Sequence, residues 1–311
     1  MQDLGKSMRD LLNRQNLNSD YQRLIANAIN DPDVQAFIKA HQDELAEDVL
    51  ERNGSKLYEY VSQRDKLRAG HQVFAPGYEP KLVVSDHYVE VTYEPTEDTL
   101  LAQKQSMLKK RVHAVSMPKM IEQASFGDYN VDGEEEQRAK ALRQAMQFVA
   151  DYSQKPHEFH QGLYFYGNFG VGKTFLLGAI ANELATLGYQ STLVHFPSFA
   201  VEMKNSIGKN NVAEKVDAIK QAPILMIDDI GADSMSSWVR DEVLGVVLEY
   251  RMQEELPTFF SSNFSMQQLS DQHLSINQRG EKEEVKAARL MQRIRFLSHE
   301  VVIQGPNRRP Q

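Results

Sequence analysis

Apolar residues recur at three- to four-residue spacing early in the chain. Leu11, Leu12, Tyr21, Leu24, Ile25, Ala28 and Ile29 form one set, and Val34, Phe37, Ile38 and Leu45 a second, so residues 1–68 are predicted helical. Between the sets, Asp31-Pro32 supplies an N-cap followed by proline at the first helical position. From Gly70 the period changes. AGHQVFAPGYEP is rich in turn formers, and KLVVSDHYVEVTYEP predicts two short strands around Ser85-Asp86. Residues 99–122 return to a mixed helical stretch with a basic lean, and QASFGDYNVDGEEEQ (123–137) has the small, acidic composition of a linker.

The second half alternates strands with helices. GLYFYG (162–167), STLVHF (191–196), PILMIDD (223–229), PTFFSSN (257–263) and EVVIQG (300–305) are strand candidates. In TFLLGAIANELATLG, Leu177, Ile180, Leu184 and Leu187 share a helical face, with Gly188 where a C-terminal glycine belongs. PSFAVEMKNSIG is a helix that Ser198 can cap, and WVRDEVLGVVLEYRMQ and EVKAARLMQRIRFL are two more. This rhythm indicates an α/β domain, a parallel sheet covered on both faces. The expected organisation is a smaller, mostly helical domain with a short β segment over residues 1–122, a linker at 123–137, and the α/β domain at 138–311.

At 311 residues the chain has room for about two domains. Hydrophobic residues make up 41% and charged residues 25%, the balance of a globular chain. There is no cysteine, which excludes disulfides, thiolate metal sites and thiol catalysis together. No run approaches the ~18 apolar residues of a membrane helix, and the first residues lack the apolar core of a secretory signal. A soluble cytoplasmic protein is the expectation. Of the net charge of −8, residues 1–135 hold −7, which disfavours phosphate-neutralising nucleic-acid binding by that half. The near-neutral remainder ends in a basic stretch that includes Arg289, Arg293, Arg295, Arg308 and Arg309.

Gly167-Asn168-Phe169-Gly170-Val171-Gly172-Lys173-Thr174 fits the pattern G-x-x-x-x-G-K-[ST], after a strand and opening a helix. Glycines let backbone N–H groups curl round phosphate oxygens, and the helix N-terminus adds positive charge. Lys173 is placed to reach the β/γ-phosphates and the Thr174 hydroxyl to complete a Mg²⁺ shell. Downstream, the apolar strand Ile224–Ile227 ends in Asp228-Asp229. Asp228 is expected to hold Mg²⁺ through water and Asp229 to polarise an attacking water; a bare strand stop and helix cap is the other reading. Asn263 ends the PTFFSSN strand, as a water-positioning amide or as an ordinary turn former. An arginine on the later helix can serve transferring phosphate, whereas Arg295 reads as solvated charge. Trp238, the one tryptophan, is either core or a base-stacking residue, and Lys204 is similarly ambiguous. The histidines, His71 and His87 included, make no credible ligand set.

With these motifs placed, the chain resembles the bacterial helicase-loader family in the DnaC-like branch of the AAA+ ATPases. The resemblance rests on LYFYGNFGVGKTFLLGAIANELA, PILMIDDIGADSMSSWVRDEVLG, LPTFFSSNFS, QRGEKEEVKAARLMQRI and the terminal NRR; NDPDVQAFI, KLYEYV and GYEPKLVV match more loosely. It implies an AAA+ domain with Gly167 to Thr174 as Walker A, Asp228 and Asp229 as Walker B and Asn263 as sensor 1. Arg293 falls at the position of an arginine finger serving a neighbour's ATP, and Arg308 or Arg309 near sensor 2. Lys204, Ser236 and Trp238 fall where related loaders contact single-stranded DNA. The implied activity is slow, partner- or DNA-regulated ATP hydrolysis with Mg²⁺. The implied partners are the hexameric replicative helicase, single-stranded DNA, other primosome and initiation proteins, and further copies of the chain on ATP; no membrane partner is implied.

Members of that family carry a Cys/His zinc cluster around the segment matching residues 63–93, where this chain has no cysteine. No zinc is expected, and packing around Tyr78, Leu82, Val84, Val89, Val91 and Tyr93 has to replace it. A transposition-helper ATPase of the same branch is the alternative, and would need a DNA-binding module in the acidic first half. A metabolic P-loop kinase lacks a use for the arginine-rich helix, and an adaptor in which ATP is a slow switch shares every motif.

Overall fold

The computed structural model describes residues 20–131, 136–208, 211–232, 235–276 and 281–308. The chain divides into two compact units, Met1–Gln105 and Ser106–Gln311.

In the first unit, residues 20–29 are helical, followed by α1 (Pro32–Ala40) and α2 (Val49–Arg68). The Asp31 carboxylate caps α1 by accepting the Asp33 and Val34 N–H groups at 3.0 and 3.5 Å, as Asp-Pro implied. The same carboxylate receives two bonds from the Arg64 guanidinium, each 2.7 Å, which ties α2 to the start of α1. β1 (Tyr78–Ser85) and β2 (Tyr88–Pro95) form an antiparallel hairpin that turns through Asp86 and His87, both left-handed. Val34, Val49, Leu57, Leu82 and Val89 make a small core with Val91 packed against it. Buried Asn53 closes the seam, donating to Val89 O (3.0 Å) and accepting its N–H (3.2 Å). Of the residues expected to replace zinc, Tyr78 and Val84 stay half-exposed, and Tyr93 donates its hydroxyl to Glu59 at 3.0 Å.

The second unit is built on a six-stranded, all-parallel sheet in the order β3-β5-β6-β7-β4-β8. Its strands are β3 (Val112–Val115), β4 (Gly162–Tyr166), β5 (Ser191–His195), β6 (Ile224–Asp228), β7 (Thr258–Ser262) and β8 (Ser298–Val302). After α3 (Glu97–Arg111), which leads into β3, the helices are α4 (Glu136–Gln154), α5 (Lys173–Thr186), α6 (Phe196–Ser206), α7 (Val212–Lys220), α8 (Gly245–Gln253) and α9 (Glu284–Leu297). Two apolar clusters hold them. Ile180, Leu184 and Phe165 belong to one, and Phe260, Val247 and Ile294 to the other.

Several elements differ from expectation. β3 was hidden in a stretch that reads as helix, because its four residues are too few to show a period. The chain running into the expected linker and its first residues form the 3₁₀ turns Lys119–Gln123 and Phe126–Asp128. Ile121, Ala124 and Tyr129 are buried there, and Asn182 of α5 donates to the Ile121 and Ala124 carbonyls at 2.8 Å each. That turn covers α5, so α5 is buried on more than the one face read from Leu177, Ile180 and Leu184; Leu176, Ala179 and Ala181 are buried too, and Leu187 is exposed. α5 ends as foreseen, with Gly188 at φ +100° and the Tyr189 N–H reaching Leu184 O. Ser198 does not cap α6, which starts at Phe196; its hydroxyl pairs with His195 Nδ1 at 2.8 Å. α8 continues without a break from a π-helical segment, Val239–Leu244.

Candidate nucleotide site

Parallel strands leave a crevice at their carboxyl ends, and β4, β6 and β7 each deliver a motif to it. Residues 167–172 connect β4 to α5. Gly167 is pressed on the chain beyond β8, where a Cβ would stand 2.0 Å from Ile303 O. Gly172, at φ +96°, is the N-cap of α5 and has no side chain to cap the first turn of the helix. Val171 is buried, whereas Asn168 and Phe169 are exposed. The three protons of Lys173 Nζ point to Gly167 O (2.8 Å), Asn168 O (2.9 Å) and Asn263 Oδ1 (2.8 Å).

Asp228 ends β6 almost out of solvent, 3% exposed. Thr174 donates its hydroxyl to it, 2.9 Å from Oδ1, and Ser261 donates a second. Burial pushes the Asp228 carboxyl up from its ordinary value; the two hydroxyls, which favour the carboxylate, pull against that. Asp229 leaves the strand in the left-handed region at φ +61°. Its N–H donates to Ser261 Oγ (3.0 Å), and its Oδ1 accepts from the Asn263 amide (3.1 Å). A continuous polar path thus runs Lys173–Asn263–Asp229, beside a second path Thr174–Asp228–Ser261. A hydroxyl paired with a carboxylate is a hard-oxygen set suited to Mg²⁺, and an ammonium with the first N–H groups of a helix suits phosphate.

Other expected residues lie apart from this cluster or touch it differently. Arg308 reaches it through its backbone, whose N–H donates to Gly170 O at 3.0 Å; Arg309 lies outside the described residues. Arg293 is bonded within its own chain, to Gly245 O (2.8 Å) and Glu249 (2.9 Å), and Arg289 is exposed one turn before it. Lys204 is exposed on α6. The Ser236 hydroxyl accepts the Val239 N–H at 3.3 Å, and Trp238 is half-buried against the larger apolar cluster.

Two residues escaped the sequence reading. Ser261 carried a signal, because hydroxyls in an otherwise apolar central strand must find partners. Arg138 carried none, as a charge on an amphipathic helix reads as solvated. It is buried, donates to the Asn130 and Val171 carbonyls, and lies over the Tyr129 ring at 3.7 Å, bracing the P-loop from behind.

A family model described as the primosomal protein DnaI N-terminus matches residues 1–93, and one described as the bacterial DnaA ATPase domain matches residues 125–279. The replicative helicase loader DnaI of Bacillus subtilis is 40% identical over 318 residues, covering 99% of each chain. The helicase loader DnaC of Escherichia coli is 25% identical over 47% of this chain and 58% of its own. Among solved structures, a crystal structure of DnaI is 48% identical, covers 67% of this chain and all of that one, and superposes with a TM-score of 0.56.

Proposed function

This chain belongs to the DnaI family of replicative helicase loaders, and from that premise we propose that it binds the replicative DNA helicase and, driven by ATP, places it on single-stranded DNA at initiation or restart of chromosome replication. What carries the reading is the closed polar path Lys173–Asn263–Asp229 at the P-loop mouth, in a chain aligned over 99% of its length with a loader. A transposition helper would need a DNA-binding module in the first half; residues 1–93 match the DnaI N-terminus instead.

The residues present fit Mg-ATP, which when bound supplies the phosphoanhydride whose hydrolysis drives the cycle. Thr174 and Asp228 would hold the cation, and the first N–H groups of α5 with Lys173 would hold the phosphates. All three Lys173 protons are engaged, so gripping phosphate means releasing one partner. Asp229 orients the attacking water and takes its proton, with Oδ1 fixed by the Asn263 amide. Arg293 serves the site of a neighbouring copy, and Arg308 or Arg309 acts as sensor 2. Lys204, Ser236 and Trp238 meet single-stranded DNA, while the first unit holds the helicase.

Co-purification with the cell's replicative helicase, with and without ATP, tests the whole. A helicase that never co-elutes in either condition removes the loader reading. Lys173→Ala tests the site alone, and should abolish Mg-ATP binding or turnover in a folded protein.

A further inference from the structure

We propose that Ser261 is a positioning residue for hydrolysis: its hydroxyl sets the left-handed peptide of Asp229, and so where that carboxylate points. The inference rests on the reading of Asp229 given above. β6 and β7 pair in register only as far as Ile227 and Phe260. Just beyond, where Asp229 turns to φ +61°, side chains of β7 take over the grip. Such a conformation is costly for a residue with a Cβ and persists only where its surroundings over-determine it. Here they do. The Asp229 N–H donates to Ser261 Oγ (3.0 Å), the Ile230 N–H to Ser261 O (2.9 Å), and Ser262 Oγ to Ile230 O (2.6 Å).

Only a hydroxyl does what Ser261 does. It gives its single proton to Asp228 Oδ1, which Thr174 also holds, and keeps a lone pair for the Asp229 N–H, so the peptide of Asp229 is the group that depends on it. The side chain is 1% exposed, which denies water the space to substitute. Strand alternation puts Asn263 on the same side of β7, two residues on, and Asn263 holds the other end of Asp229 through Oδ1. One strand thus fixes this aspartate at its peptide and at its carboxylate. Ser262, facing away, bonds Ile230 O and the Phe264 N–H and touches neither acid.

The test is steady-state ATP hydrolysis by the full chain, with ATP affinity measured separately by a fluorescent analogue. Ser261→Ala should lower kcat by about tenfold or more while ATP affinity stays within about threefold, the signature of a displaced group rather than a lost binding contact. Ser261→Thr, which keeps the hydroxyl, should stay within about threefold of the parent kcat. In an Asp229→Asn background, Ser261→Ala should cost less than about a further twofold, because it acts through the residue already disabled. Should the alanine variant not fold, Ser261→Cys keeps the volume with a poor donor and acceptor and should show the same split. A normal kcat in a folded Ala or Cys variant, no retention by threonine, or a full additional loss on top of Asp229→Asn overturns the proposal. If Asp229→Asn itself turns over normally, the assignment of Asp229 falls first and that of Ser261 with it.

Discussion

Asn263→Ala separates holding nucleotide from hydrolysing it. The Asn263 amide accepts from Lys173 Nζ at 2.8 Å and donates to Asp229 Oδ1 at 3.1 Å. Hydrogen bonds to charged groups contribute about 1.5–3 kcal/mol each, and with Lys173 buried and Asp229 partly buried, solvent replaces little of the loss. The two losses fall on different steps. Phosphate would take the place of Asn263 on Lys173, so ATP affinity should change by no more than about threefold. No such substitute exists for Asp229, whose carboxylate is left free to rotate when water attacks. About 1.5–3 kcal/mol then appears in the barrier, a fall in kcat of about 10- to 100-fold. Phosphate release at saturating ATP, with equilibrium binding of a fluorescent ATP analogue, reads both quantities. The reasoning is refuted if kcat stays within about twofold of the parent, or if affinity falls by the same factor as kcat.

Four other outcomes are expected. Arg293→Ala should bind ATP nearly normally and lose turnover, and mixing it with Lys173→Ala should restore some activity; mixed oligomers that stay inactive remove the trans assignment. Arg251, 0% exposed, donates to the Lys220, Ala222 and Pro257 carbonyls and to Thr258 Oγ1, and burial pushes its guanidinium down to about 9. Arg251→Met should destabilise the chain by about 3 kcal/mol or more in denaturant melts, since the acceptors left behind outweigh the relief of a buried charge. The Arg64 guanidinium holds the Asp31 carboxyl below its ordinary 3.8, so that contribution is complete above 3.8 and is lost as pH falls through the lowered value. Thermal melts of the full chain on the acid side should show this loss, and Asp31→Asn should flatten it. Elemental analysis should find no stoichiometric zinc; one equivalent per chain would mean that His and carboxylate side chains have replaced the family's cysteines.

What the sequence made legible was whatever has a short period or a fixed spacing. The five strands of the sheet expected from apolar runs are present, with β8 starting two residues earlier than EVVIQG, and α9 matches EVKAARLMQRIRFL residue for residue. Gly167 to Thr174, Asp228, Asp229 and Asn263 meet in one crevice because each sits a fixed step from the end of a parallel strand. Long-range packing was not legible. β3 exists because β5 offers an edge to pair with, and the turn at Lys119–Gln123 because α5 has an uncovered side; neither partner is near in sequence. The acidic composition of 123–137 says nothing of Ile121 and Ala124 just before and inside it, whose carbonyls Asn182 binds. Ser261 and Arg138 were missed for the same reason. Their roles are set by what lies across the sheet or behind the loop.

Arg293 shows how a local feature and a distant one combine. Its guanidinium binds Gly245 O and Glu249, and Gly245 stands where the π-helical segment Val239–Leu244 gives way to α8. A π turn is wider than an α turn and recurs at functional sites. Its N-terminal side follows the Asp228-Asp229 turn, and the buried Arg240 within it donates to Leu274 O and to Glu283, the N-cap of α9. The helix that follows the acidic pair is therefore fastened to α9 at two points, by Arg240 near its start and by Arg293 in its middle. A trans role for Arg293 accordingly means an exchange of partners, in which a carbonyl and a half-exposed Glu249 are given up for a neighbour's phosphate. With Arg293 21% and Glu249 51% exposed, the ion pair is partly screened by solvent, and the exchange gives up the bond to the Gly245 carbonyl as well. The contact inside the chain holds the guanidinium in a defined place without locking it there.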